Sequence, residues 1–283
     1  MNIISNKTCM KSVTLNNGVS MPIIGLGTHT IRGFKMLKTI NYANILGYKH
    51  FDTAWLYKNE KSLKFALKIL NIKREEIFIT SKLEWKQLVD GSSIEKCYEG
   101  ALKRLGTDYI DLYLVHWPKS EYYLQMWEGL TKLYKAERIK AIGVSSFLEQ
   151  HLEKIKEVSD VIPAVNQIEL HPLNTRKSLI TYCKAQGIQI EAHSPFARGS
   201  ATEELMKNII ILELADKYDK SAAQIILRWV VQQGLVTIPR SVHEYKLKEN
   251  INIFDFELEQ TDMHVIDSIN KDHFFGGDPR KTL

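Results

Sequence analysis

Four residues in the first half of the chain carry the groups needed to protonate a carbonyl oxygen: Asp52 and Tyr57 in residues 47–60 (GYKHFDTAWLYKNE), Lys82 in ITSKL and His116 in DLYLVHWP. A tyrosine phenol, with an unperturbed pKa of about 10, is protonated at neutral pH but donates reluctantly unless its phenolate is stabilised. A lysine ammonium beside it supplies that stabilisation. A carboxylate paired with the lysine keeps the ammonium charged and oriented in a desolvated site. Histidine can hold the carbonyl by a hydrogen bond. Each residue alone has a plainer role: Asp52 as a cap of the next helix, Tyr57 as a half-buried loop ring, Lys82 as an exposed strand-end charge and His116 as a satisfied core histidine. The set becomes specific only where a fold brings all four together.

The surrounding pattern supplies such a fold. Asn17-Gly18 between two short apolar segments predicts a tight hairpin over residues 13–22, a cap. Eight strand-like apolar runs follow, at 22–28, 50–54, 77–82, 109–116, 140–145, 163–169, 188–194 and 235–240, with helical patterns between them. Leu63, Ala66, Leu67 and Leu70 form one helical stripe, and Ile94, Cys97, Ala101, Leu102 and Leu105 another. Ser92 with Glu95 and Ser221 with Gln224 have capping-box spacing, and Gly106 and Gly187 stop helices ahead of strands. No linker interrupts the alternation, so we expect residues 1–283 to form a single (β/α)8 TIM barrel domain, with a leader at 1–12, the hairpin cap and a tail at 271–283. A barrel builds its site where the strands end. Asp52, Lys82 and His116 end successive, neighbouring strands, with Tyr57 on the adjoining loop.

Composition narrows the alternatives. A net charge of +5, with basic and acidic residues interspersed, gives no basic stripe of the kind nucleic acid requires. Cys9, Cys97 and Cys183 stand far apart, without CxxC or metal-ligand spacing, which points to a reducing compartment and to no metal site. Neither a signal peptide nor a membrane-length apolar run is evident, so a cytoplasmic protein with no membrane partner is expected.

The motifs GYKHFDTAWLYKNE, ITSKL, DYIDLYLVHWP, KAIGVSSF, VNQIELHP and IPRSVHEYKLKEN, in this order from about residue 13 onward, resemble those of the aldo-keto reductases, and of the short-looped microbial members in particular. The resemblance implies a (β/α)8 barrel with the tetrad Asp52, Tyr57, Lys82 and His116, Tyr57 being the acid. It implies hydride delivery from NADPH bound across the strand ends, with NADP+ released. The absence of a glycine-rich dinucleotide fingerprint, Gly25-Leu26-Gly27 being too short for one, agrees with it. Ser145 and Gln167 match residues that hold the nicotinamide carboxamide. Ser146 stands where the family usually has asparagine, and with Glu149 it could instead cap the next helix. His193 replaces the tyrosine that commonly stacks on the nicotinamide, and Ser194 is a further candidate for the cofactor site. The ordinary pKa of a histidine, about 6.5, would let His193 gain charge in the working pH range, unless it stays neutral in a buried hydrogen bond. Arg240, Ser241 and Val242 match the adenosine phosphate site. Lys246 stands in for an arginine there, and Glu249 and Asn250 match the adenine-side pair. His29, Trp55, Trp85 and Trp117 are candidates to line the substrate pocket, with packing as the alternative for Trp55 and Trp85. The loops at 119–125 and 197–202 are expected to be short and the pocket open.

The function expected is therefore reduction of aldehydes and reactive ketones by a monomer, on a small-molecule carbonyl substrate. Two other functions stay open on the sequence alone. One is a catalytically silent NADPH-binding sensor or structural protein of the same fold; the other is a barrel enzyme that uses Arg240 to grip a sugar phosphate.

Overall fold

The computed structural model describes residues 11–282. Strands β1 (Ser12–Thr14) and β2 (Ser20–Pro22) pair antiparallel, with Ser12 opposite Pro22. Gly18, at φ 84°, takes the turn conformation that a side chain resists, and its N–H donates to Leu15 O at 2.9 Å. Asn16 and Asn17 donate from their amides to Pro163 O (3.1 Å) and Lys140 O (2.9 Å), and so tie the hairpin across the starts of later strands. Leu15 and Met21 pack on Phe78, Leu112, Leu114, Val165 and Val236, plugging the N-terminal end of the barrel with apolar surface.

Eight parallel strands follow in consecutive spatial order: β3 (Leu26–Gly27), β4 (His50–Asp52), β5 (Phe78–Leu83), β6 (Leu112–Val115), β7 (Ile142–Ser145), β8 (Val165–Glu169), β9 (Gln189–His193) and β10 (Val236–Thr237). A parallel bridge between Ile24 and Thr237 closes the ring, with Thr237 N–H donating to Ile23 O and Gly25 N–H to Thr237 O. All eight runs expected from the sequence are strands, and the (β/α)8 architecture is as anticipated. The first and last are shortest. There Gly27 comes so close to the neighbouring chain that a Cβ would lie 2.8 Å from Ile238 O.

Helices α1 (Gly33–Ile45), α2 (Glu60–Ile69), α3 (Ile94–Leu105), α4 (Tyr123–Lys135), α5 (Glu149–Val158), α6 (Lys177–Ala185), α7 (Ser200–Met206), α8 (Ile209–Tyr218), α9 (Ala222–Gln232), α10 (Glu244–Ile251) and α11 (Gln260–Ser268) surround them. Their apolar stripes bury against the strands in one continuous core that includes Leu63, Tyr98, Trp127, Phe147 and Trp229. The Ser221–Gln224 capping box is present, with Gln224 N–H donating to Ser221 Oγ and Ser221 N–H to Gln224 Oε1. At α3 the cap is Ser93 and not Ser92: Ser93 Oγ accepts the Lys96 N–H at 3.2 Å. The loops at 119–125 and 197–202 are cut short by α4 and α7, which begin inside them.

Candidate active site

The strand register assembles the site. Asp52 pairs with Thr80 and Lys82 with Leu114, so residues two apart along β4 and β5 point into the barrel and reach its C-terminal rim together. Lys82, fully buried, donates from Nζ to Asp52 Oδ2 at 2.6 Å, to Thr53 O at 3.0 Å and to the Tyr57 hydroxyl at 3.4 Å. Burial alone would lower the pKa of the ammonium; Asp52 and then Tyr57 overcome it and hold it raised. Burial raises that of the Tyr57 phenol, and Lys82 draws it partly back, so the phenol is protonated at neutral pH. Thus the pair of effects required for a poised acid is present.

Tyr57 sits in the single turn Trp55–Tyr57 after β4. Asn59, fully buried, locks that turn: its amide donates to Thr28 O and Ile31 O, and its carbonyl accepts the Thr53 hydroxyl at 2.6 Å. Arg32 Nε adds a hydrogen bond to Tyr57 O at 3.0 Å. The Tyr57 ring lies edge-on to His29 on one side and His116 on the other, at centroid distances of 4.8 and 5.8 Å. His116 Nδ1 is 3.0 Å from Glu84 Oε2, so Nε2 is the ring nitrogen left for a ligand. Burial lowers the pKa of the His116 imidazole, though Glu84 counters it.

A cavity of about 600 Å³ opens over this group, lined among others by Gly27, His29, Tyr57, His116, Trp117 and Ser145. Ser146, Gln167, His193, Ser194, Arg198 and Arg240 also line it. Gln167 gives both amide hydrogens to carboxyl groups, to Asp52 Oδ2 at 2.9 Å and Glu191 Oε2 at 2.7 Å. Its Oε1 is therefore the atom it can offer a ligand. Ser146 is no helix cap: α5 starts at Glu149, where His151 Nδ1 accepts the Leu148 N–H, and Ser146 lies at φ 64° with its N–H on Gln167 O. Asparagine, the residue usual in the family, tolerates that left-handed backbone more readily than serine does.

His193 departs from the possibility that it charges near neutral pH. Burial, with Arg198 and Lys82 nearby, pushes its pKa down to about 3, and its Nδ1 lies 3.1 Å from Ser194 Oγ. The ring is neutral. Trp55 and Trp85, named as pocket candidates, are not on the cavity wall: Lys58 Nζ sits 3.0 Å over the Trp55 ring, and Trp85 stacks on Tyr122 at 5.6 Å. Both rings are half-buried.

Past β10, Arg240 is exposed at the cavity edge, with Nε on His29 O at 2.7 Å. Ser241 is buried and its Oγ accepts the His243 N–H; Val242 is half-buried. In α10, Lys246 is exposed, Glu249 half-buried and Asn250 buried. Arg240 lines the cavity, whereas Ser241, Val242, Lys246, Glu249 and Asn250 do not.

Five residues escaped the sequence reading: Asn59, Glu84, Glu191, Arg198 and Glu169. Glu84 is two residues beyond Lys82, and Glu191 two before His193, so strand alternation alone places each inside the barrel. Glu191 is wholly buried, with Oε1 unpartnered and 3.6 Å from His50 Nε2. Burial and then Asp52 hold its carboxyl well above the usual carboxylate range. Arg198 Nε donates to Ser194 Oγ at 2.8 Å from the cavity wall.

The model of the Aldo/keto reductase family matches residues 24–271. Glyoxal reductase of Bacillus subtilis (strain 168) is 45% identical over 273 residues, covering 96% of this chain and 97% of the relative. Methylglyoxal reductase DkgA of Escherichia coli (strain K12) is 38% identical, covering 97% of this chain and 98% of the relative. A solved structure of a Gox0644 variant in complex with NADPH superposes with a TM-score of 0.88 at 35% identity, covering 96% of this chain and 98% of that one. The chain belongs to the aldo/keto reductase family, and so to the oxidoreductases that reduce carbonyl groups.

Proposed function

We propose that the chain reduces small aldehydes and α-dicarbonyls to alcohols with NADPH, and that Tyr57 is the proton donor. The observation that carries this is Lys82 Nζ, which meets both Asp52 and the Tyr57 hydroxyl at the floor of the strand-end cavity. The substrate size follows the glyoxal and methylglyoxal reductases that the chain resembles.

The residues present suit the cofactor. Gln167 Oε1 is an acceptor, Ser145 a hydroxyl and His193 a neutral ring on one wall, and Arg240 is a cation at the cavity edge. When bound there, NADPH supplies the hydride that the carbonyl carbon gains. Ser145, Ser146, Gln167, His193 and Ser194 hold the nicotinamide end. Arg240, Ser241, Val242, Lys246, Glu249 and Asn250 hold the adenosine end, Arg240 and Lys246 favouring the 2′-phosphate. His116 presents Nε2 to the carbonyl oxygen, and Tyr57 gives that oxygen its proton. Lys82 then stabilises the phenolate, and Asp52 keeps Lys82 charged. His29 and Trp117 frame the substrate.

We place the protein in the cytoplasm as a single-domain monomer. In support, Cys97 and Cys183 are buried and unpaired, and among the described residues no helix is long and apolar enough to cross a membrane. The direct test is loss of NADPH absorbance on addition of methylglyoxal. Turnover supports the proposal. Changed cofactor fluorescence without reduction of any aldehyde would favour a silent binding protein, and no NADPH binding at all would favour the sugar-phosphate alternative.

A further inference from the structure

Glu169 ends β8 two residues beyond Gln167, and its side chain is buried. It takes no part in the chemistry above. Instead, its two carboxylate oxygens accept the backbone N–H groups of Phe275 (Oε1, 2.7 Å) and Gly276 (Oε2, 2.7 Å), and His171 Nε2 lies 3.2 Å from Oε1. Burial opposes charge here, yet these contacts hold the carboxyl down at about 2. Residues 271–277 have no regular structure, so such contacts determine where they lie. The segment enters through Lys271 N–H on Leu173 O and Asn270 Oδ1 on Thr175 N–H, and the Phe275 ring rests on His171 at 5.6 Å. It leaves at Gly277, which lines the cavity against Trp117. The fit has no slack: a Cβ at Gly276 would stand 2.5 Å from Glu169 Oε2, and one at Gly277 would stand 2.8 Å from Trp117 Cη2.

We propose that Glu169 is a positioning residue whose carboxylate clamps residues 275–277 against Trp117 as the outer wall of the carbonyl pocket, and so makes the enzyme select short, unbranched carbonyl compounds. The inference rests on the carbonyl-reductase function above. A bidentate carboxylate on two consecutive backbone donors fixes both the height and the tilt of a short segment, as one neutral hydrogen bond would not. The cavity must take the nicotinamide end as well as the substrate, so the position of the wall at Gly277 and Trp117 sets how bulky a carbonyl substituent can be.

The test compares wild type, Glu169→Gln and Gly276→Ala with methylglyoxal and benzaldehyde, with NADPH affinity followed by fluorescence. Glutamine keeps one acceptor oxygen and sets an amide against the other N–H. Gly276→Ala leaves Glu169 intact and pushes the segment off it. In both variants KM for methylglyoxal should rise with kcat within about twofold. The benzaldehyde-to-methylglyoxal ratio of kcat/KM should shift about tenfold toward benzaldehyde, the scale of a reshaped pocket. NADPH affinity should not change. An unchanged ratio in either variant, or an equal loss on both substrates and on NADPH, would overturn the clamp while leaving carbonyl reduction standing. A wild type that reduces neither aldehyde would overturn both.

Discussion

Lys82→Met measures what the buried ammonium contributes, since methionine keeps the length and the apolar stem without the charge. With Nζ 3.4 Å from the phenol oxygen, Coulomb's law at an effective dielectric constant of about 20 gives about 5 kcal/mol for a full phenolate. A transition state with the proton about half transferred feels about half of that, so kcat should fall by roughly 70-fold. The same change strands Asp52, whose remaining side-chain partner at Oδ2 is the Gln167 amide, and breaking a buried pair costs about 3–5 kcal/mol. Activity must therefore be read at a temperature where circular dichroism shows the variant folded. Asp52→Asn combined with Lys82→Met removes the stranded charge, so it should recover much of the melting temperature and none of the activity. The reasoning is refuted if the folded single variant loses less than about threefold in kcat, or if the double variant regains activity.

Three further outcomes follow from the same geometry. Because His193 stays neutral down to about pH 3, the ratio of NADP+ to NADPH dissociation constants should be flat from about pH 5.5 to 8 in wild type and in His193→Tyr alike; a ratio that varies only in the wild type would contradict it. Arg240→Ala should weaken NADPH by about tenfold and NADH by less than twofold in a binding titration, and equal losses would deny Arg240 its place at the 2′-phosphate. The carboxyl of Glu191 is raised by burial and Asp52, so its stabilising contribution is full below the ordinary carboxylate pKa and lost as pH climbs toward its raised value. Glu191→Gln escapes that loss and can still accept from Gln167, so its melting temperature relative to wild type should rise steadily with pH; a constant difference would show that Glu191 does not titrate across the range.

Most of the scaffold was legible because its signals are local. Strand alternation, Asn17-Gly18 and Gly106 each dictate backbone within a few residues, and a parallel barrel turns eight such units into one rim. That is why Asp52, Lys82 and His116 could be brought together before any coordinates. What was missed depends on neighbours far along the chain. Glu191 and Glu84 look like ordinary strand charges until the ring closes, and only then does Glu191 face Gln167 and Glu84 face His116. Glu169 gains its role from Phe275 and Gly276, over a hundred residues away. Trp85 sits on the expected loop, but its ring stacks on Tyr122, a contact the pattern does not encode. The Ser92-for-Ser93 shift is instead local, since adjacent serines compete for one helix start.

The central claim is that Tyr57 supplies the proton. Tyr57→Phe keeps the ring between His29 and His116 and removes only the hydroxyl that Lys82 touches. The measurement is kcat for methylglyoxal reduction beside the NADPH dissociation constant in the same preparation. Loss of a positioned general acid should lower kcat by about 100-fold or more, with cofactor affinity within about twofold of wild type. A variant that binds NADPH normally and still reduces methylglyoxal at a rate near wild type would contradict the account.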